Sequence, residues 1–195
     1  MPCAEIAIIE WLSSLWTRDD AVSTLLAGAV RTFPGATMTT AASLSCSWMA
    51  PIGQMLDAHA WRGNYFIALQ TYRPDIVGII ADELNLAFCD FRAAHMAQLG
   101  WRAAELPLDR LSQVAADAGS DQGLVLHNAE ALLATKSKSE RSTWLSEFVQ
   151  CSSRYPVLIP LSIFFGEVPE ACARVAWIDP TDLPEEKLLI RLASQ

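Results

Sequence analysis

Apolar and polar positions follow two rhythms along this chain, and the change falls near Trp61-Arg62-Gly63. Before it, Ile6, Ile9, Leu12 and Trp16 recur at helical spacing. Ile8, Trp11 and Leu15 widen that stripe until the helix expected over Cys3 to Trp16 is apolar on more than one side. Thr17-Arg18-Asp19-Asp20 supplies capping side chains, and Ala21 to Phe33 reads as a second helix closed by Pro34-Gly35. Thr39 or Thr40 opens a third, running through Trp48 and Met55 to about His59, with Pro51 kinking or splitting it. Residues 1–62 are therefore expected to form a helical N-terminal segment. A cap on the remainder of the chain and a docking surface for another protein would both be written this way.

After Gly63 the pattern becomes strand, polar turn, helix. Asn64 to Gln70, NYFIALQ, is apolar and aromatic enough for a central strand, and Thr71-Tyr72-Arg73-Pro74-Asp75 opens a helix over Ile76 to Leu84, with Pro74 suited to its first turn. Leu86 to Phe91 is a short second strand, and Ala93 to Ala118 is helical or irregular. The third strand begins at Gly123, where Leu124-Val125-Leu126 ends abruptly in His127, Asn128 and Glu130 before the helix-forming Ala131-Leu132-Leu133. The charged run Lys136 to Arg141 introduces a helix over Ser142 to Gln150. A fourth strand lies within Tyr155 to Phe165, a fifth over Arg174 to Ile178, and a last helix over Asp182 to Leu192. Strands alternating with helices predict an α/β domain over residues 63–195, with a mostly parallel five-stranded sheet covered by helices on both faces.

Composition narrows the function. The chain is 52% hydrophobic with seven Trp and a mean hydropathy of +0.23, which calls for a large interior and raises the weight of a partner interface. A formal net charge of −8 disfavours long-range steering toward nucleic acid phosphates. Cys3, Cys46, Cys89, Cys151 and Cys172 form no CxxC pair and stand at no metal-ligand spacing from His, so neither zinc nor a disulfide framework is signalled and a reducing, cytoplasmic setting is expected. Glu5 and Glu10 within the first apolar segment argue against a signal peptide, and no apolar run approaches the roughly 20 residues that span a bilayer.

In a parallel sheet, ligands bind beyond the carboxyl ends of the strands. The residues expected there are Thr71 and Arg73, Asp90 and Arg92, His127, Asn128 and Glu130, and Ser162. His127 is a candidate general base oriented by Glu130 or Asp90, and equally a histidine that merely closes a strand. Lys136, Lys138 and Arg141, with Arg154 as a further candidate member, are the chain's basic concentration, candidates for contact with a partner or with nucleic acid, or a solvated loop and helix start.

From Asn64 to Leu192 the element order resembles the P-loop ATPases of the AAA+/RecA-like group, with Gly123 to Asn128 and Glu130 similar to a Walker B strand and VLIPLSIF to the strand that comes after it. Over a few residues, HNAEALL is also similar to the Asp-Asn-x-Glu strand end of small P-loop subunits of bacterial phage-exclusion (BREX-type) systems. The resemblance implies a P-loop-like topology, with Thr71, Arg73 and Asn128 nearest to where a nucleotide would sit. Yet TYRPD stands where that group has GxxxxGK[ST], without the glycines whose amides cradle phosphate or the lysine that meets it. His127 or Asn128 replaces the metal-associated Asp, and a neutral His is a poor magnesium ligand. The expectation is a non-hydrolysing, ATPase-like accessory or scaffold subunit of a bacterial assembly, with no cofactor of its own. Its partners would be other protein subunits, in a homo- or hetero-oligomer, and any reach to DNA would run through them. An enzyme centred on His127, Glu130 and Asp90 is the alternative from another class, and a nucleic-acid binder using Lys136, Lys138 and Arg141 a third.

Overall fold

The computed structural model describes residues 47–118, 122–168 and 172–185, all within one compact unit, Ser43–Gln195. The helices expected over Cys3 to Trp16 and Ala21 to Phe33 lie outside the described residues, as does most of the one expected over Asp182 to Leu192; Asp182 and Leu183 form turn and bend, and Pro184 and Glu185 are irregular. The first elements are a 3-10 turn, Ser47–Met49, and helix α1, Ala50–Ala58, which has Pro51 in its first turn, where no intrahelical N–H is lost.

The sheet has five strands: β1 (Gly63–Leu69), β2 (Ala87–Asp90), β3 (Leu124–His127), β4 (Pro156–Leu161) and β5 (Val175–Ile178). Their order is β2-β3-β4-β1-β5 and every pairing is parallel. This is the α/β architecture the sequence pattern predicts. All seven residues of β1 are buried, as its continuous apolar run requires, because it lies between β4 and β5 and is covered on both faces. The helices are α2 (Pro74–Glu83), α3 (Asp109–Ala118), α4 (Glu130–Leu133) and α5 (Lys138–Phe148). Between β2 and α3 the chain makes a π turn, Arg92–Met96, and a 3-10 stretch, Ala97–Glu105, broken at Gly100.

Alternate strand residues feed two cores. On one face Tyr65, Ile67, Leu69, Val125, Leu158 and Ile178 meet Ile52 and Leu56 of α1 and Ile76 and Ile80 of α2. On the other, Phe66, Leu124, Leu126, Val157 and Ile159 meet Leu111 of α3, Leu132 and Leu133 of α4 and Trp144 and Phe148 of α5. The crossover from β1 to β2 is the single one that runs toward the β2 edge, so right-handedness sends α2 to the face opposite the helices of the later crossovers. α1, read from sequence as the end of the N-terminal segment, contributes to the same core as β1 and α2.

Two local details set the frame of the sheet. Asn64, buried in β1, donates from Nδ2 to the carbonyl of Phe148 at 3.0 Å and so satisfies a C-terminal carbonyl of α5. α5 itself starts four residues before the sequence pattern suggests, because Ser137 and Glu140 form a reciprocal capping box. Among the described residues no helix is long and apolar enough to cross a membrane.

Candidate functional site

The carboxyl ends of β1, β2 and β3 converge through one directed hydrogen-bond chain. The Asn128 amide donates from Nδ2 to Asp90 Oδ2 at 2.9 Å, which turns its Oδ1 toward the Tyr72 hydroxyl, 3.0 Å away. A carboxylate only accepts, so the amide orientation is forced and Tyr72 must donate to it. The Tyr72 oxygen is then left to accept from His127 Nε2, a long contact of 3.4 Å. The order is thus His127 to Tyr72 to Asn128 to Asp90. The second Asp90 oxygen accepts from the Ala93 N–H at 3.0 Å and caps the π turn after β2.

Asn128 adopts a left-handed conformation, φ +57, directly after β3. Asn tolerates that region better than other side-chain-bearing residues, and the turn aims its amide back between Asp90 and Tyr72. His127 is only 6% exposed and is held between two aromatic rings, Tyr72 at 5.8 Å between centroids and 21° between planes, and Phe88 at 5.7 Å and 33°. Burial pushes its imidazole below the ordinary value of 6.5, the charge of Asp90 opposing. The ring is therefore neutral near pH 7, and the bond to Tyr72 places the proton on Nε2.

Glu130 takes no part in this chain. Its Oε1 accepts from the N–H groups of Ile163 and Phe164 at 2.7 and 2.9 Å, fastening α4 to the turn after β4. Burial raises its carboxyl above the ordinary range, with the Phe164, Ser162 and Ile163 amides pulling the other way. Of the residues named from sequence, Asp90, His127 and Asn128 are thus brought together, Glu130 is turned to the end of β4, and Thr71 is exposed beside them. Arg73 is buried and holds Asp75 through two bonds, Nε to Oδ1 at 2.9 Å and Nη2 to Oδ2 at 2.7 Å, while Nη1 donates to the Pro184 carbonyl.

Asp75 lies in the first turn of α2, where a helix favours an anion. The bonds from Arg73 hold its carboxyl below the ordinary carboxylate range despite partial burial. The start of α2 after this strand-to-helix loop thus carries a carboxylate bonded to Arg73. The loop that leads there, Gln70 to Arg73, contains no glycine.

The three basic candidates are dispersed. Arg141 grips Glu167 in a fork, with bonds of 2.9 and 2.6 Å, lies 4.3 Å from the Phe164 ring centre and donates to the Lys136 carbonyl. Lys136 donates from Nζ to the Ala104 carbonyl at 2.7 Å, whereas Lys138 is exposed at the start of α5. Tyr72 and Phe88, central to the geometry, are not singled out by sequence pattern. The available signal for Tyr72 is an aromatic in a four-residue strand-to-helix turn, which says nothing about direction. Among the described residues no group of three or more His, Cys, Asp or Glu side chains is placed to hold a metal. No protein-family model, curated protein or solved structure matches the chain.

Proposed function

We propose that the protein is a non-hydrolysing, ATPase-like accessory or scaffold subunit of a bacterial multiprotein complex in the cytoplasm, serving DNA metabolism or anti-phage defence through its partners. The observation that carries this reading is the occupied helix start: Asp75, gripped by Arg73, sits where a phosphate would bind, at the end of a short loop without glycine or lysine. An added phosphate would meet a like charge instead of free amides, and repulsion of this kind offsets whatever the helix dipole contributes. The all-parallel sheet, with β1 between β4 and β5, supports descent from an ATPase-like core that kept its shape.

The directed chain also weighs against the enzyme reading. A His and an Asp joined through an amide cannot act as a charge-polarised dyad, because the Asn128 side chain does not relay a proton. For a scaffold, the useful feature is the exposed aromatic surface beside the same edge: Tyr72 is 40% exposed and Phe88 50%. Exposed aromatics of this kind are what partner interfaces use as anchors.

Calorimetric titration with ATP and ADP, with and without magnesium, tests the reading; the expected result is no binding at the carboxyl edge and no hydrolysis. Magnesium-dependent ATP hydrolysis that disappears in Glu130→Gln would overturn it. For the alternative, a reaction abolished in a fully folded His127→Ala protein would establish an enzyme in its place.

A further inference from the structure

The opposite edge of the sheet, where the strands begin, carries a feature with no part in the scaffold role. A groove of about 470 Å³ opens there, lined by Arg62, Gly63, Ser152, Ser153, Arg154 and Arg174. Its three arginines come from the segments leading into β1, β4 and β5, neighbours in the sheet though far apart in the chain. Among the described residues no carboxylate lines the groove, and none of the three arginines makes an ion pair. In a chain of formal net charge −8, three guanidinium groups without an ion-pair partner among the described residues are gathered at one place.

The groove is also built. Arg174 donates from Nη1 to the Arg62 carbonyl at 2.9 Å and lies over the Tyr65 ring, 5.2 Å from its centre. The Tyr65 hydroxyl donates to the same carbonyl at 2.6 Å. Gly63, at φ +105, leaves the space the Arg174 guanidinium fills, and a methyl group there would overlap it. Two successive residues before Arg62, Ala60 and Trp61, are held in the left-handed region at φ +51 and +57, although neither is a glycine or an asparagine. Strain of this sort persists where surrounding contacts fix it, and it clusters at functional sites. Here it aims the Arg62 carbonyl at both Arg174 and Tyr65. On the other wall, Ser153 is fixed by its hydroxyl, 2.7 Å from the Tyr155 carbonyl and 3.1 Å from Asn64 Oδ1, which sets the Ser152-Ser153-Arg154 turn.

We propose that this groove binds the phosphoryl groups of a small phosphorylated ligand. Guanidinium forks match phosphate oxygens in geometry, and three of them complement the charge of a di- or triphosphate. The volume falls within the range of small-molecule sites. An extended polyanion such as nucleic acid is a poor fit, because the acidic remainder of the chain repels it and no aromatic platform for stacking bases lines the groove.

The experiment is calorimetric titration of the whole protein with inorganic tripolyphosphate at low ionic strength. Saturable binding that weakens with salt is expected, with about tenfold loss in each of Arg62→Ala and Arg154→Ala, partial recovery in Arg154→Lys, and no change in Lys138→Ala. Both arginines are exposed, so these variants should fold as the parent does, which circular dichroism checks. Absence of saturable binding overturns the proposal, as does equal binding by the Arg62→Ala/Arg154→Ala double variant. A single-stranded oligonucleotide that binds and is not displaced by tripolyphosphate also overturns it. ATP binding lost in the double variant supports the groove and leaves the reading of the carboxyl edge intact. ATP binding that survives in the double variant but fails in Asn128→Ala counts against both.

Discussion

The two edges of one sheet treat their polar groups in opposite ways. At the carboxyl edge, where parallel sheets usually take ligands, Asp90, Asn128, Tyr72 and His127 satisfy one another, Glu130 is bound to two backbone amides, and Asp75 is matched by Arg73. At the amino edge, three arginines face a groove that no carboxylate of the described residues lines. Polar groups bonded to each other contribute to stability and resist new ligands. Unmatched charges contribute little to stability and invite them. Chemistry at a sheet edge thus depends on which groups are left unpaired, not on which end of the strands they occupy.

This contrast predicts that carboxyl-edge substitutions cost stability and amino-edge ones do not. The largest effect is expected for Glu130→Ala, which strands the Ile163 and Phe164 amides. Urea unfolding should show a loss of about 2–4 kcal/mol, and less for Glu130→Gln, which keeps an acceptor. Next comes Asn128→Gly, which suits the left-handed backbone but removes both amide bonds, for a loss of about 1–2 kcal/mol. Tyr72→Phe keeps the ring on His127 and should cost about 1 kcal/mol. Arg154→Ala is expected within about 0.5 kcal/mol of the parent, since it removes an exposed charge that has no ion-pair partner among the described residues. A cost at Arg154 matching that at Glu130 would erase the distinction between the edges.

The same contrast has a pH signature. The folded protein holds His127 below its ordinary value of 6.5, so the unfolded chain takes up a proton first as pH falls. The stability His127 contributes is complete above pH 6.5 and is lost as the pH drops from there toward its folded value. His95, also lowered by burial and by the Arg110 charge, acts in the same direction. Glu130, raised by burial, acts oppositely, favouring the fold at low pH and losing that advantage as pH rises past its ordinary 4.5. His127→Gln should therefore flatten, without abolishing, the fall in unfolding free energy below pH 6.5. An unchanged slope would mean that the imidazole is solvated and not held between Tyr72 and Phe88.

The elements that sequence reveals well are those written by local pattern. YFIAL and VLIPL are apolar because their strands are covered on both faces, and Pro74 marks the start of α2. Asp90, His127 and Asn128 can be grouped from sequence because each lies at the end of a strand. Their bonding cannot, since the chain that joins them needs Tyr72 from the loop after β1 to reach His127 although β4 lies between β1 and β3, a relation that only sheet order supplies. Lys136 and Arg141 read as a basic patch because Ala104 and Glu167, which engage them, are 32 and 26 residues distant. The groove is invisible for the same reason: Arg62, Arg154 and Arg174 share no local motif, and only the parallel order of β4, β1 and β5 sets them side by side.

A single titration separates the two edges most sharply: magnesium-ATP added to the Arg62→Ala/Arg154→Ala double variant. With these amino-edge charges removed and the carboxyl edge untouched, no saturable binding is expected. Saturable binding that then disappears on adding Asn128→Ala would contradict the division of roles between the edges, and would mean that the bonded edge opens to accept a nucleotide.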